Sequence, residues 1–256
     1  MVSKRRLFRK GCSKYAGRTM WCAPGVHEAV EVIVKTVLPL QASILDLGAG
    51  SGALLNRFQR AGFSKLHGCD ICLEQCNLPG VKLSKSNLNE SFASLFDQTF
   101  DLVTAIEVIE HTESPRHVLR ELYSLVRPGG YLLLSTPNIA HWLGRLQFLF
   151  TGRIWYFSEK IYYEQRHISI LPFNHISLMF QETGFEIVSV QGVGTFWTAF
   201  SRIVMWPVSF LARVLFGRNA NGDVLLILAK RTTPNYTPPG SNADYARWYL
   251  GDQQRP

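Results

Sequence analysis

The sequence lacks the features that would place this protein outside the cell or across a membrane. Its 256 residues include only five cysteines, an odd number without the regular spacing of a secreted disulfide framework. The N-terminal region has no apolar run long enough for a signal peptide, and the chain contains no internal repeat. We therefore expect a cytoplasmic protein with reduced thiols at Cys12, Cys22, Cys69, Cys72 and Cys76.

Acidic residues are absent from the first 18 positions, which hold seven lysines and arginines. Those seven account for most of the formal net charge of +8, so the remainder of the chain is nearly neutral. We predict a basic arm at residues 1–24 and a mostly disordered tail, rich in proline and asparagine, at residues 232–256. Such an arm suits anionic lipid, nucleic acid or an acidic partner, and a simple solvated tail has the same composition.

Helical and strand patterns alternate between residues 25 and 231. Strands are predicted at 43–48, 64–71, 81–87, 100–106, 131–137, 185–193 and 223–231. Helices are predicted at 25–38, at 51–62, from Ser114 to the glycines of "RPGG", and near 173–184. This alternation predicts an α/β fold with a central, mainly parallel sheet, and it places ligand sites at the carboxyl ends of the strands.

A glycine-rich turn follows the first strand of that sheet. Gly48, Gly50 and Gly52 are spaced G-x-G-x-G, which lets the backbone turn tightly and lets a ligand approach closely. Asp46, just before the turn, would repel phosphate groups, so a dinucleotide is disfavoured. Asp70 ends the next strand, where a carboxylate can accept hydrogen bonds from ribose hydroxyls. The pattern predicts a nucleoside pocket.

Two carboxylates and an imidazole follow the strongest strand, in the segment "EVIEH". Residues three and four apart share one face of a helical turn, so Glu107, Glu110 and His111 are predicted to converge.

These motifs together resemble the class I S-adenosylmethionine-dependent methyltransferases. The resemblance covers about residues 25–231 and includes "GCDI", "FDLVTAIEVIEH", "LVRPGGYLLLSTPN" and "RHISILPFNHISLMFQETGF". It implies a Rossmann-like, doubly wound, seven-stranded sheet with strand order 3-2-1-4-5-7-6 and strand 7 antiparallel.

The resemblance also implies where S-adenosylmethionine would bind. Gly48 and Gly50 would pass its methionine part, Asp46 would brace the loop, and Asp70 would bind the ribose. Relatives usually carry aspartate where this chain has Asn87, whose amide can still accept a hydrogen bond from adenine. The full set of implied cofactor contacts is Asp46, Gly48, Gly50, Gly52, Asp70, Ile71, Asn87 and Leu88.

The segment "EVIEH" is similar to a pattern in ubiquinone-pathway O-methyltransferases and small-RNA 2′-O-methyltransferases, where such residues bind Mg²⁺. The match implies Glu107, Glu110 and His111 as ligands, with His167 as a candidate fourth. Carboxylates suit Mg²⁺, and imidazoles extend the choice to Mn²⁺ or Fe²⁺. Without a metal, His111 or His167 would be the general base, and these two and Glu107 are the predicted catalytic residues. Both alternatives predict an oxygen acceptor.

Two apolar segments interrupt the repeating pattern. One, within a predicted lid at 139–172, contains "HWLGRLQFLF", and the other spans 196–218. Two arginines and Pro207 argue against a membrane-spanning helix in the second segment. Its predicted polar stripe is Thr198, Arg202, Ser209 and Arg213. A helix lying in a membrane interface fits this pattern, as does packing on the domain or against a second subunit.

The sequence therefore favours a methyltransferase that acts on a lipophilic, lipid-linked or glycosyl-type small molecule. Its basic arm and apolar segments favour an anionic membrane surface, on the cytoplasmic face. An RNA 2′-O-methyltransferase is the first alternative, since the arm could contact phosphates, although no separate RNA-binding module is evident. A non-catalytic adaptor that retains the fold is the second.

Overall fold

The computed structural model describes residues 13–196, 203–217 and 220–233. The strands are β1 (Ser13–Tyr15), β2 (Arg18–Met20), β3 (Ser43–Leu47), β4 (Lys65–Asp70), β5 (Lys82–Lys85), β6 (Phe100–Ile106), β7 (Val126–Pro137), β8 (Phe185–Val193) and β9 (Val224–Arg231). The described α-helices are α1 (Val26–Val37), α2 (Ala53–Arg60), α3 (Pro115–Leu125), α4 (Trp142–Thr151), α5 (Glu159–Gln165), α6 (Phe173–Thr183) and α7 (Trp206–Phe216).

A seven-stranded sheet in the order β5-β4-β3-β6-β7-β9-β8 forms the centre of the fold. Counted from β3, this order is 3-2-1-4-5-7-6, and β9 runs antiparallel to both of its neighbours. The predicted fold class and strand order are confirmed. Because β9 runs in the opposite direction, Val224 at its start pairs with Pro137 at the end of β7. The beginning of β9 therefore lies at the same edge as the carboxyl ends of the parallel strands.

Hydrophobic clusters cover both faces of the sheet. Along β3, Ile44 belongs to one cluster, and Leu45 and Leu47 belong to the other, as expected for side chains that alternate across a strand. The first cluster includes residues of α1 and α2: Val26, Val30, Val34, Leu54, Leu55 and Phe58. The second includes residues of α3 and α6: Val118, Leu119, Leu122, Ile176 and Phe180. This arrangement is the predicted doubly wound architecture.

Residues 13–24, assigned from the sequence to the basic arm, are folded. The hairpin of β1 and β2 packs on the glycine-rich turn, where Arg18 Nη1 donates to the Ser51 carbonyl oxygen at 2.7 Å. The Ser51 hydroxyl in turn donates to the Thr19 carbonyl oxygen at 2.6 Å. Any free arm is therefore confined to residues 1–12, which lie outside the described part of the chain.

Helix α7 presents its apolar side away from the domain. Its buried contact is Ala212, which packs with Trp142 of α4 and with Ala220. Ser209, a member of the predicted polar stripe, is half-buried, and its carbonyl oxygen accepts from Asn221 Nδ2 at 3.1 Å. Arg213, another member of that stripe, is exposed.

The other two members of the predicted stripe, Thr198 and Arg202, lie outside the described residues. Within the described ranges, no helix is both long and apolar enough to cross a membrane.

A buried arginine joins α1, α2 and the hairpin. The Arg57 guanidinium donates to Glu28 Oε1 at 2.7 Å and to Glu31 Oε2 at 3.0 Å. Its Cζ also lies 4.0 Å from the centroid of the Tyr15 ring. Because a guanidinium can satisfy several partners while stacking on an aromatic ring, this one side chain fixes three elements.

We predict that Arg57→Ala lowers the free energy of unfolding by about 2 kcal/mol, because it removes a buried cation from two carboxylates. Urea unfolding followed by circular dichroism measures the change. Arg60→Ala is the matched control, since Arg60 lies on the same helix but is exposed. Equal effects of the two substitutions would contradict a special role for Arg57.

Candidate functional site

The glycine-rich turn after β3 is held to the end of β4 by hydrogen bonds. The Gly48 amide donates to the Cys69 carbonyl oxygen at 2.8 Å. The Asp70 carboxylate accepts from the Gly50 amide at 2.8 Å through Oδ2 and from the Cys72 amide at 2.9 Å through Oδ1. Each carboxylate oxygen can accept a further bond, so Asp70 both shapes the turn and remains able to bind a ligand.

Asp46 lies beneath this turn and is almost completely buried. Its Oδ1 accepts from the Thr104 hydroxyl at 2.6 Å. Burial raises the pKa of Asp46 to about 7, and the hydrogen bond from Thr104 opposes this shift. Asp46 and Gly48 line a small cavity of about 30 Å³, so the structure brings these two predicted residues together.

Trp21, which follows β2, covers the glycine-rich turn. A Cβ at position 50 would lie only 3.1 Å from Cδ1 of Trp21, so the ring needs glycine beneath it. The ring lines the small cavity and is 62% exposed. The sequence analysis missed Trp21 because it assigned residues 1–24 to a free arm.

The remaining implied cofactor contacts lie beyond the ends of β4 and β5. Ile71 is exposed, and Leu88 packs at the edge of the second hydrophobic cluster. The Asn87 side chain is engaged within its own loop, because its Nδ2 donates to Glu90 Oε1 at 3.0 Å and its Oδ1 accepts from the Asn89 amide at 3.1 Å. Its predicted contact with adenine would require those bonds to be shared or exchanged.

The segment "EVIEH" does not form the helical turn that its spacing predicts. Glu107 has a left-handed backbone with a φ of 55°, and a 3₁₀ turn covers only Ile109–His111. The Ser135 hydroxyl oxygen accepts from the Glu107 amide at 2.9 Å, and the hydroxyl donates to Glu107 Oε1 at 2.8 Å. Burial raises the pKa of Glu107 to about 7, and the bond from Ser135 opposes the rise.

A different trio converges. Ligand atoms of Glu110, His111 and His167 all lie within 4.8 Å of one another, whereas Glu107 is not part of this group. The amides of Ile168 and Ser169 each donate to the Glu110 carbonyl oxygen at 2.9 Å, which fixes the segment after α5 against the 3₁₀ turn. His167, implied only as a fourth ligand, is therefore central, and Glu107 is outside the cluster.

Both histidines of this cluster have their tautomer fixed. His111 Nδ1 lies 3.2 Å from the Arg166 carbonyl oxygen, and His167 Nδ1 lies 3.2 Å from the Tyr156 carbonyl oxygen. Because a carbonyl oxygen can only accept, each Nδ1 carries a proton and each Nε2 keeps a lone pair. Burial lowers the pKa of both imidazoles, to about 4 for His167, so the rings are neutral near pH 7.

Glu110 is completely buried, and neither carboxylate oxygen has a hydrogen-bond partner among the described residues. Burial, with a contribution from the charge of Glu107, raises the pKa of Glu110 well above its ordinary value. The nearby Thr136 hydroxyl opposes this rise in the pKa of Glu110, although it does not form a hydrogen bond with either carboxylate oxygen. Burying a carboxylate without hydrogen-bond partners costs free energy, so we expect Glu110 either to be protonated or to bind a cation.

A cavity of about 630 Å³ opens beside this cluster. Its polar lining includes Glu107, His111, Tyr156, His167 and Asp223. Its apolar lining includes Trp21, Ala23, Pro137, Ile161, Phe196 and Val224. Glu164 and Gln165 add to the polar lining, and a cavity of this volume with both apolar and polar groups suits a small molecule.

Tyr156 and Asp223 are cavity residues that the sequence analysis missed. Asp223 immediately precedes β9, and its Oδ2 accepts from the Phe196 amide at 2.7 Å. Burial raises the pKa of both the Asp223 carboxyl and the Tyr156 hydroxyl. An isolated acid just before a strongly apolar strand was the available signal for Asp223. Tyr156 lies in the lid and carried no such signal.

The small cavity and the large one adjoin each other, because Trp21 and Cys22 line both. A ligand seated on the glycine-rich turn would therefore face a second ligand held in the large cavity.

Comparison with known proteins agrees with this arrangement. Residues 22–190 match the family model described as "Methyltransferase domain". The chain is 33% identical over 104 residues to a ubiquinone biosynthesis O-methyltransferase of Serratia proteamaculans, covering 38% of this chain and 43% of that one. It is 36% identical over 103 residues to the enzyme of the same name from Aeromonas salmonicida, covering 37% and 43%. The chain therefore matches less than half the length of these relatives.

Solved structures share the fold at low sequence identity. A SAM-dependent methyltransferase from Archaeoglobus fulgidus has a TM-score of 0.54 and 20% identity, with 81% of this chain and 95% of that chain covered.

We predict that Gly48→Ala destabilises the protein and that this cost is smaller when Val108 is also replaced by alanine. A Cβ at position 48 would overlap Cγ2 of Val108, in addition to the strain of a φ of +70°. The double variant should be about 1 kcal/mol more stable than the sum of the single effects. Urea unfolding of the four proteins measures this coupling.

The control is Gly152→Ala, where φ is +67° but a Cβ would meet nothing within 4 Å. If Gly48→Ala costs no more than this control, or if it costs as much in the Val108→Ala background as in wild type, the steric conflict between position 48 and Val108 is wrong.

Proposed function

Because this chain belongs to the class I S-adenosylmethionine-dependent methyltransferases, we propose that it transfers a methyl group to an oxygen atom of a lipophilic small molecule. The acceptor would be a lipophilic, lipid-linked or glycosyl-type compound. The observation that carries this proposal is the pair of adjoining cavities, which places a large, mainly apolar site next to the glycine-rich turn. The names of the curated relatives support oxygen as the acceptor atom.

S-adenosylmethionine fits the residues of the turn. Gly48 and the buried Asp46 both line the small cavity, so the methionine part would lie along the turn and Asp46 can accept from its amino group. Asp70 has lone pairs available for the ribose hydroxyls. The sulfonium supplies an electrophilic methyl group, so the main contribution of the protein is to align the acceptor oxygen for in-line displacement.

The trio of Glu110, His111 and His167 fits a divalent cation. Glu110 offers two oxygens without partners, and His111 and His167 each offer an Nε2 lone pair whose orientation is set by a carbonyl at Nδ1. Two imidazoles and one carboxylate favour Mn²⁺ or Fe²⁺ over Mg²⁺. Bound there, the cation would supply a Lewis acid that lowers the pKa of an acceptor hydroxyl.

Glu107 is suited to remove the acceptor proton. It lines the large cavity, has a pKa raised to about 7, and has one oxygen fixed by Ser135. A base whose pKa lies near the working pH combines adequate ionisation with proton affinity. When bound, S-adenosylmethionine would supply the methyl group, and Glu107 would accept the proton that the acceptor hydroxyl gives up.

The protein would work at or near a membrane surface, on the cytoplasmic face. A lipophilic acceptor is concentrated there, and the basic N-terminal residues suit anionic lipid.

We predict that Asp70→Ala weakens binding of S-adenosylhomocysteine by about ten- to a hundred-fold, because hydrogen bonds to a charged acceptor contribute about 1.5–3 kcal/mol. Titration calorimetry measures the affinity, and Asp97→Ala, at an exposed aspartate, is the control. Wild-type affinity in Asp70→Ala would reject the ribose assignment. A wild-type protein that fails to bind the ligand would favour an adaptor over an enzyme.

We predict that Glu110→Gln weakens Mn²⁺ binding about ten-fold or more while stabilising the metal-free protein. The substitution removes a metal-binding oxygen, and it also removes an unpaired buried carboxyl. Calorimetry with Mn²⁺ and thermal unfolding without it test the two effects separately, with the exposed Glu113→Gln as control. If Glu110→Gln binds Mn²⁺ as tightly as wild type, the metal site is wrong.

A further inference from the structure

Helices α4 and α7 form one exposed apolar surface next to the cavity. Its largest contributors are Phe148, Leu149 and Phe150 on α4 and Trp206, Val214 and Leu215 on α7, which we call the apolar platform. Phe150 is 79% exposed and Leu149 is 72% exposed. Several large apolar side chains on adjacent exposed helices usually mark a binding surface.

The two helices are packed together. Ala212 of α7 contacts Trp142 of α4, and the Arg145 guanidinium of α4 lies 4.8 Å from the ring centroid of Phe216. Helix α7 is anchored through Ala212 and through the Ser209 carbonyl, so its small and polar groups face the protein. A surface helix that packs on a core normally buries its apolar side, whereas α7 leaves its apolar side exposed.

The charge around the platform has one sign. Residues 138–158 and 203–217 contain no aspartate or glutamate, but they include Arg145, Arg153 and Arg213. None of the three forms an ion pair with a described residue. Apolar side chains bordered by unpaired arginines complement a bilayer surface with anionic headgroups, because the chains enter the interface while the arginines remain at the phosphates.

The platform also connects to the large cavity. A Cβ at Gly144 of α4 would lie 3.0 Å from Cβ of Trp155, and the next residue, Tyr156, lines the cavity. The wall of the cavity and the α4 part of the platform therefore belong to the same lid.

We propose that the apolar platform of α4 and α7 docks on an anionic membrane and holds the cavity at the bilayer surface. The partner is the lipid bilayer itself. The idea that docking brings the acceptor to the cavity rests on the proposed function. Docking of the protein on vesicles can be measured without any methyl transfer.

The test is sedimentation of the full chain with vesicles of phosphatidylcholine, with and without phosphatidylglycerol. We expect wild type to bind the anionic vesicles more tightly, and added salt to weaken this binding. The paired substitutions Leu149→Ser with Phe150→Ser, and Val214→Ser with Leu215→Ser, should each weaken binding about ten-fold or more, since apolar burial is lost. The matched control is Val32→Ser with Leu178→Ser, at exposed apolar positions on α1 and α6.

Arg153→Gln and Arg213→Gln test the charge. Each should weaken binding to anionic vesicles about five-fold, with little effect on neutral ones, because a basic residue near such a surface contributes about 1 kcal/mol. Calorimetry with S-adenosylhomocysteine on the same variants separates the two proposals, because a docking variant should bind that ligand as wild type does.

Three results would overturn the proposal. The first is that wild type binds neither kind of vesicle. The second is that the platform variants bind as tightly as wild type, which would assign vesicle binding to another part of the chain. Wild type could also form a dimer that the platform variants dissociate, without binding vesicles, which would make the platform a contact between two copies.

Discussion

The hydrogen bonds between the glycine-rich turn and the end of β4 are the constraint on which the site depends. The Cys69 carbonyl and the Asp70 carboxylate fix the turn through Gly48 and Gly50. Because β3 and β4 are parallel neighbours, this connection holds the turn at the carboxyl edge of the sheet, where a side chain at position 48 would overlap Val108. Folding of the sheet thus positions both the turn and the acidic segment after β6.

The same edge tolerates groups that a stable core would exclude. Glu110 has no partner for its buried oxygens, Glu107 has a left-handed backbone, and Asp46 is buried with a single hydrogen bond from a side chain. Each feature costs free energy that the two hydrophobic clusters must offset. Such departures from good local chemistry, concentrated on one edge of an otherwise regular sheet, are expected where binding and proton transfer take place.

The sequence predicted the seven strands of the central sheet because they carry their own periodic patterns, as the match of β6 to its predicted range shows, but it missed β1, β2 and α5. It also placed Asp46 within the first strand of the sheet and Asp70 at the end of the next, where the structure has them. Prediction from the sequence failed where the position of a side chain depends on contacts with residues far away in the chain. The spacing of "EVIEH" indicated a helical turn, but the bonds from Ser135 hold Glu107 apart from the others. Nothing local could reveal that Trp21 covers Gly50 or that Tyr156 lines the cavity.

The orientation of α7 illustrates a further limit, because an amphipathic pattern does not tell which side meets the protein. Burying the apolar side would require an apolar partner surface, but the neighbouring helix α4 is itself exposed at Phe148 and Phe150. The two helices instead meet through Ala212 and Trp142, where a small residue allows close approach. Since water is a poor solvent for the side chains left outside, the free energy of this arrangement falls when an apolar phase covers them. A surface that is unfavourable for a free monomer in water thereby becomes favourable once an apolar phase covers it.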